Sequence, residues 1–366
     1  MGSLAAAPLF LRSALVTASL LCATTSFARE LPLRFSPQLP VSAAMADRVR
    51  FWVDVFTRVS HTEAVLHDRA DPTIIYDVVP YGRGGDTTLI DATRASYEQV
   101  LSALATDSIF PSLSVTSPER ARVQAMFGVR AGAAAYVRAI GNIRAQRGMR
   151  EPFVDGLARA ELYLPDIRRI FREAKLPSEL AYLPHVESSF NPSAVSRAGA
   201  AGLWQFTRET FALYDKAGGN ADARFDPVRS TEVAVRHLER ARNVLGSWPL
   251  AIASYNHGVA GMARARSAVG ADALDDIVRG YEGATFGFAS QNFYAEALAA
   301  AHVARNVRHY FPDMPRPPVM RYVVRPGDSL WTIARRHKVS IRDLTAANNL
   351  DGSRLKTGQM IVIKTS

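Results

Sequence analysis

The chain has 366 residues, room for two or three domains and at least one substantial core. Lys and Arg outnumber Asp and Glu by 44 to 34, but the arginines are scattered and form no dense run. That argues against a nucleic-acid binder and leaves an acidic polymer as the better match.

The first 28 residues carry one charge, Arg12, ahead of an apolar run from Ala14 to Ala23. Ser26-Phe27-Ala28 then places small residues where a signal peptidase cuts. The run is short for a bilayer, so residues 1–28 read as a cleaved export signal, with no stable membrane anchor. The only cysteine, Cys22, follows Leu21 rather than a small residue, which makes acylation there the weaker reading. The mature chain then has no disulfide to form.

Residues 29–165 are expected to form a helical N-terminal region that packs against the rest of the chain. Met45, Val49, Trp52, Phe56 and Val59 recur at helical spacing, as do Ile90, Tyr97, Val100 and Leu104. Tyr136, Ile140 and Ile143 suggest a third stripe, and Leu164, Ile167, Ile170 and Phe171 a fourth. Residues 78–91, with Gly82, Gly84 and Gly85, read as a loop. His61 and His67 stand on different faces if HTEAVLH is helical, which suits a metal pair poorly, and no metal is expected.

The stretch from Pro177 to Thr210 organises the rest. Pro177 fits a first helical turn, and Leu180, Leu183 and Glu187 fall on one stripe. A carboxylate is thus carried on the apolar side of a helix that Pro184 interrupts and Asn191-Pro192 ends. A loop of small residues from Ser196 to Gly202 follows, and then Leu203-Trp204-Gln205-Phe206. A buried acid, a tight loop and an aromatic wall suggest a cleft that protonates a bound substrate. The run E-S-x-F-N-P-x-A-x-S-x-x-G-A-x-G-L-W-Q-F resembles the catalytic signature of lytic transglycosylases with a soluble-lytic-transglycosylase (goose-lysozyme-like, glycoside hydrolase family 23) domain. It is most similar to their membrane-bound murein type D class.

Further along, Asp226-Pro227 reads as a cap and first turn, a better reading than a second catalytic acid. Ser247 can cap the next helix and Gly258 can end it, leaving Tyr255 and Asn256 at its end. From the residues alone, Tyr255 is as well read as a core aromatic as a site residue. The run A-I-A-S-Y-N-x-G resembles the family element whose tyrosine and asparagine line the site, although His257 replaces a small residue. Tyr294 stands where the family has a tyrosine facing the acid, without the usual Glu-Thr-Arg before it.

Pro312, Pro315, Pro317 and Pro318 make a stiff linker over residues 312–320. Strand, helix, helix and strand signals follow in residues 321–366, with Ser340 capping the second helix. The segments R-Y-V-V-R-P-G-D-S-L-W-x-I-A and L-x-x-G-Q-x-I-V-I resemble a LysM domain. That resemblance implies glycan binding through Gly327, Asp328, Ser329 and Leu330 on one side and Asn349 and Leu350 on the other.

The expected protein is mainly α: the N-terminal region, a lysozyme-like catalytic domain at residues 166–311, the linker and a small βααβ LysM domain. A glutamate on an apolar stripe is desolvated and keeps its proton near neutral pH. The family resemblance makes Glu187 the single general acid and base of a peptidoglycan lytic transglycosylase, without metal or cofactor. It implies that Ser196 and Gln205 hold substrate and that Tyr255, Asn256 and Tyr294 orient Glu187. Trp204 and Phe206 either offer faces to sugar rings or belong to the core. No second acid of comparable promise stands near Glu187 in this reading. The expected partner is peptidoglycan glycan strands, acted on by a monomer in the periplasm or cell wall. The alternatives are a muramidase-type hydrolase, favoured by Asp215 or Asp226 in the cleft, and a non-catalytic peptidoglycan-binding scaffold.

Overall fold

Helix α1, Ala43–Thr57, starts where Ser42 accepts the Met45 N–H, and it buries Met45, Val49, Trp52 and Phe56 as their spacing predicts. A computed structural model describes residues 31–111, 117–128, 131–216, 222–314, 319–348, 350 and 355–364. The expected export signal, Cys22, the proline triplet of the linker and Asn349 lie outside these residues.

The N-terminal region is not wholly helical. Strands β1 (Glu63–Asp68), β2 (Ile75–Pro80) and β3 (Ile143–Arg147) form an antiparallel sheet in the order β2-β1-β3. HTEAVLH is therefore a turn leading into strand from Glu63, and Ile143 does not continue the helical stripe of Tyr136. The cause is burial on both faces: β1 is buried from Ala64 to Asp68, so it lacks the alternation that marks a half-exposed strand. His61 contacts Glu151 at 3.0 Å, and His67 packs between the rings of Phe51 and Phe288. Helices α2 (Thr88–Ile109), α3 (Pro118–Phe127) and α4 (Ala133–Ala139) cover this sheet around Tyr76, Tyr97, Leu101 and Tyr136.

Helix α5, Arg150–Glu173, leads into a 3₁₀ turn over Ser178–Tyr182 and a short helix α6, Pro184–Ser188. Helices α7 (Arg208–Tyr214), α8 (Pro227–Leu245), α9 (Trp248–His257), α10 (Val259–Val269) and α11 (Leu274–Gly280) follow. Asp226 caps α8 through the Val228 and Arg229 N–H groups, and Ser247 caps α9 through Leu250, as their positions predict. Helix α12, Phe288–Arg305, is buried almost all round, and α13 is Val307–Tyr310. The small side chains of Ala295, Ala297 and Ala299–Ala301 let neighbours approach α12 from several sides, and α1, α9, α6 and the 3₁₀ turn all pack on it.

The N-terminal region is fastened to one side of this bundle by polar contacts. Arg48 donates to Asn292, the Ser36 N–H to Glu179, and the Tyr294 hydroxyl to the Pro40 carbonyl. The C-terminal βααβ unit pairs β4 (Val319–Val323) antiparallel to β5 (Met360–Lys364). Helices α14 (Leu330–His337) and α15 (Ile341–Asn348) close its core around Ile333, Leu344, Ile361 and Ile363.

Candidate active site

Glu187 sits in the last turn of α6. Pro184, which has no N–H to give, opens that helix instead of kinking a longer one, so the segment is two short helical pieces. Immediately after Glu187 and Ser188, Ser189 (φ 49°) and Phe190 (φ 57°) both take left-handed backbone, a strained arrangement outside glycine. Surroundings hold them there. Arg159 donates to the Ser189 carbonyl at 2.8 Å, the Phe190 N–H reaches the Pro184 carbonyl at 2.9 Å, and the Phe190 ring is fully buried. The chain thus turns away at once and leaves the acid at an abrupt end.

The small-residue loop forms the next wall. The Ser196 N–H donates to the Ala200 carbonyl, and the Ala200 N–H returns to the Ser196 hydroxyl at 3.0 Å. Gly202 (φ 80°) is required, because a Cβ there would lie 1.9 Å from the Arg224 carbonyl oxygen. Arg224 itself is buried, pairs with Asp222, and donates to the Gly199 and Phe206 carbonyls at 2.8 and 2.9 Å. The Gln205 amide group donates to the Gly202 and Ala194 carbonyls. Ser188 ties the loop to α6 through the Leu203 carbonyl at 2.8 Å.

Tyr255, at the end of α9, donates to the Trp204 carbonyl at 2.8 Å, and its ring lies parallel to that of Phe293. Asn256 is exposed, and its carbonyl oxygen accepts from Ser290 at 2.8 Å. These contacts bring α9 and one face of α12 to the acid. Burial, and then the charge of Glu187, raise the Tyr255 hydroxyl well above its ordinary range. It is a neutral neighbour of the acid.

Burial and then the charge of Glu296 push Glu187 up to about 8. Burial also pushes Glu296 up to about 8. Both carboxyls are enclosed by protein yet keep some accessible surface. Among the described residues neither accepts a hydrogen bond or forms an ion pair. A carboxyl so held retains its proton at neutral pH and can give it to a bound oxygen.

Several sequence expectations need correction. Trp204 is 0 % exposed, lies nearly parallel to Phe171 and donates its indole N–H to Thr231, so it is core and not a platform for substrate. Phe206 is buried too. Tyr294 is 1 % exposed and points at Pro40, because it lies two residues from Glu296 on α12 and therefore on the opposite face. Asp215 pairs with Arg229 and Asp226 caps α8, so neither supplies a second acid. Glu296 stands there instead, a residue to which the sequence motifs assign no role. Its one signal is to be a lone glutamate within the run from Phe293 to Val303, otherwise aromatic, alanine, leucine, valine and one histidine.

In the C-terminal unit, Asp328 is taken up by the Tyr322 hydroxyl, the Arg325 N–H and Arg336. Ser329 caps α14 in a capping box with Thr332, Gly327 supplies a positive φ, and Leu330 is buried in the core. Leu350 packs on that same core. These side chains shape the turn, and the Leu330 side chain belongs to the core of the unit rather than to its surface. Trp331 beside them is 56 % exposed, with the Arg335 guanidinium 5.1 Å from its ring centre.

Comparison with known proteins bears on this geometry. Residues 168–277 match the Transglycosylase SLT domain family, and residues 322–364 match the LysM domain family. The chain is 28% identical over 292 residues to the Membrane-bound lytic murein transglycosylase D of Escherichia coli K12, covering 57% of this chain and 65% of that protein. A relative of the same description from Escherichia coli O6:H1 matches equally, so the chain spans 65% of the length of these curated relatives. A Putative tributyltin chloride resistance protein from Alteromonas sp. (strain M-1) is 41% identical over 113 residues, 30% of this chain and 54% of that protein. The chain therefore carries an SLT transglycosylase domain and a C-terminal LysM domain, and is homologous to murein transglycosylase D. Among the described residues, no helix is long and apolar enough to cross a membrane.

Proposed function

We propose that this protein is an exported peptidoglycan lytic transglycosylase that cleaves the bond from N-acetylmuramic acid to N-acetylglucosamine without water. The supporting observation is Glu187: an enclosed, proton-bearing carboxyl at the abrupt end of α6, inside the matched SLT domain. In the first step the Glu187 proton passes to the glycosidic oxygen as the bond from that oxygen to the anomeric carbon breaks. In the second, the Glu187 carboxylate takes the proton of the 6-hydroxyl of the muramic sugar as that oxygen bonds to the anomeric carbon. The product ends in 1,6-anhydro-N-acetylmuramic acid, and Glu187 recovers its proton.

Ser196, Gln205 and Asn256 are the polar side chains assigned to substrate, on a loop and helix end fixed by the contacts described above. Tyr255 braces the wall behind the acid. The LysM domain holds the enzyme on glycan strands, with Trp331 as an additional sugar-facing ring. Residues 1–28 direct export to the periplasm or cell wall.

One observation favours a second reading on the same fold. Most glycosidases use two carboxyls, and Glu296 provides a second one whose charge acts on the first. If Glu296 served as base for a water, the products would carry reducing ends. The test is digestion of purified sacculi by the mature chain and by Glu187→Gln, with products identified by mass spectrometry. Anhydro ends lost in the variant support the transglycosylase; reducing ends transfer the assignment to a hydrolase. Sacculus binding without any product makes the protein a scaffold.

A further inference from the structure

We propose that Glu296 is a positioning residue for this reaction: set against Glu187 across the α6–α12 contact, it keeps the two carboxyls from both losing their protons, so the acid still holds its own at the alkaline edge of its working range. The inference rests on the reading of Glu187 given above and adds a residue that the family signature does not contain.

The geometry begins with α12. Phe293 and Glu296 are three residues apart and therefore share a face. Phe293 lies parallel to the Tyr255 ring with centroids 6.1 Å apart, and Ser290, three residues earlier, donates to Asn256. That face is thus turned to α9 and to the cleft, while Tyr294 on the other face is bonded to Pro40. Helix α6 packs on α12 as well, which brings Glu296 to the acid. Glu187 and Glu296 come from positions 109 residues apart in the chain, and the packing of α6 on α12 sets them close enough for the charge of Glu296 to act on Glu187.

Other charges nearby are already engaged. Arg159 on α5 donates to the Ser189 carbonyl, and Arg48 on α1 is bonded to Asn292 and the Ala70 carbonyl. Glu179 in the 3₁₀ turn is paired with Arg305. His185 on α6 is buried against Phe153 and Phe190 and is held neutral, its imidazole down to about 3. His237 on α8 stands edge-on to Tyr255 and is likewise pushed down, to about 4. Among the described residues no cation pairs with either carboxyl, so nothing offsets the repulsion of two negative charges.

Two carboxyls in such a setting titrate as a unit, and the second proton leaves only well above the pH at which the first has gone. The repulsion bears on Glu187, for which the Glu296 charge adds to burial. Catalysis needs that asymmetry: the acid must hold its proton until the glycosidic oxygen is in place.

The experiment follows the side-chain carboxyl carbons of ¹³C-glutamate-labelled mature protein by NMR from pH 4 to 10. The Glu187 resonance is assigned by its loss in Glu187→Gln. In Glu296→Gln the Glu187 titration is expected to move toward acid by about one pH unit. The alkaline limb of sacculus digestion is expected to move with it, and Glu296→Asp, which retains the charge, to restore both. An unchanged Glu187 titration in Glu296→Gln overturns the proposal, as does activity lost equally at every pH with that titration intact. A chain that yields no sacculus product at any pH, yet shows the expected carboxyl shift, overturns the assigned reaction and upholds the pairing.

Discussion

Replacing the acid should make the protein more stable as well as inactive, and the gain should depend on pH. The Glu187 carboxyl goes from an ordinary value of 4.5 to about 8 on folding. A carboxyl raised in this way contributes stability that is complete below the unfolded value and is lost as pH rises toward the folded one. Between those limits the unfolded chain releases a proton that the folded chain retains. At pH 7 the loss integrates to about 3 kcal/mol, an upper value because Glu296 shares the titration. Gln has nearly the same shape and no proton to lose, so Glu187→Gln escapes the penalty. Urea denaturation at pH 4, 5.5, 7 and 8 reads the difference directly. The variant should match the wild type near pH 4 and exceed it increasingly up to pH 8. A difference that stays constant with pH, or a variant less stable at pH 7, would refute the reasoning, because it would mean that the acid is well solvated in the folded protein.

Thr231→Val leaves the buried Trp204 indole N–H without its acceptor and should lower stability by about 1–3 kcal/mol in a denaturant titration, with activity per folded molecule retained. Gly202→Ala puts a methyl group 1.9 Å from the Arg224 carbonyl at a positive φ, so the loop must move. Sacculus digestion should fall severely, with a thermal transition lowered by at least several degrees for about 2 kcal/mol. Trp331→Ala removes an exposed ring whose stacking is worth about 1 kcal/mol, which predicts retention on sacculi weakened several-fold in a sedimentation assay, with anhydro-product chemistry unchanged.

How far the sequence is legible depends on which faces are wet. Helices α1, α2 and α5 each show a stripe because one side of each meets solvent, and the caps Ser247, Asp226 and Ser340 are local chemistry that needs no partner. Strand β1 is wet on neither face and so has no period to betray it. Helix α12 is buried for the same length as it is helical, and which of its faces meets the cleft depends on neighbours far away in the chain. The family resemblance therefore puts Tyr294 at the acid, and no motif gives Glu296 a part. Trp204 presents the same difficulty, since an aromatic wall and a core look alike until the Thr231 hydroxyl is seen to take its N–H.

Helix α1 lies on α12, and the bond from Arg48 to Asn292 joins residues 244 positions apart. Closing so long a loop is slow, because the chain entropy must be given up before the contact rewards it. Until that closure, α1 has α5 against it, where Phe56 stacks on Phe153, but lacks the cover of α12, and a chain ending before Phe288 would leave that side of α1 open to aggregation. Glu296 arrives on the same helix that completes this closure. Under the proposed function, partly folded forms lack the wall that α12 gives the acid, so cutting power waits for that helix to dock.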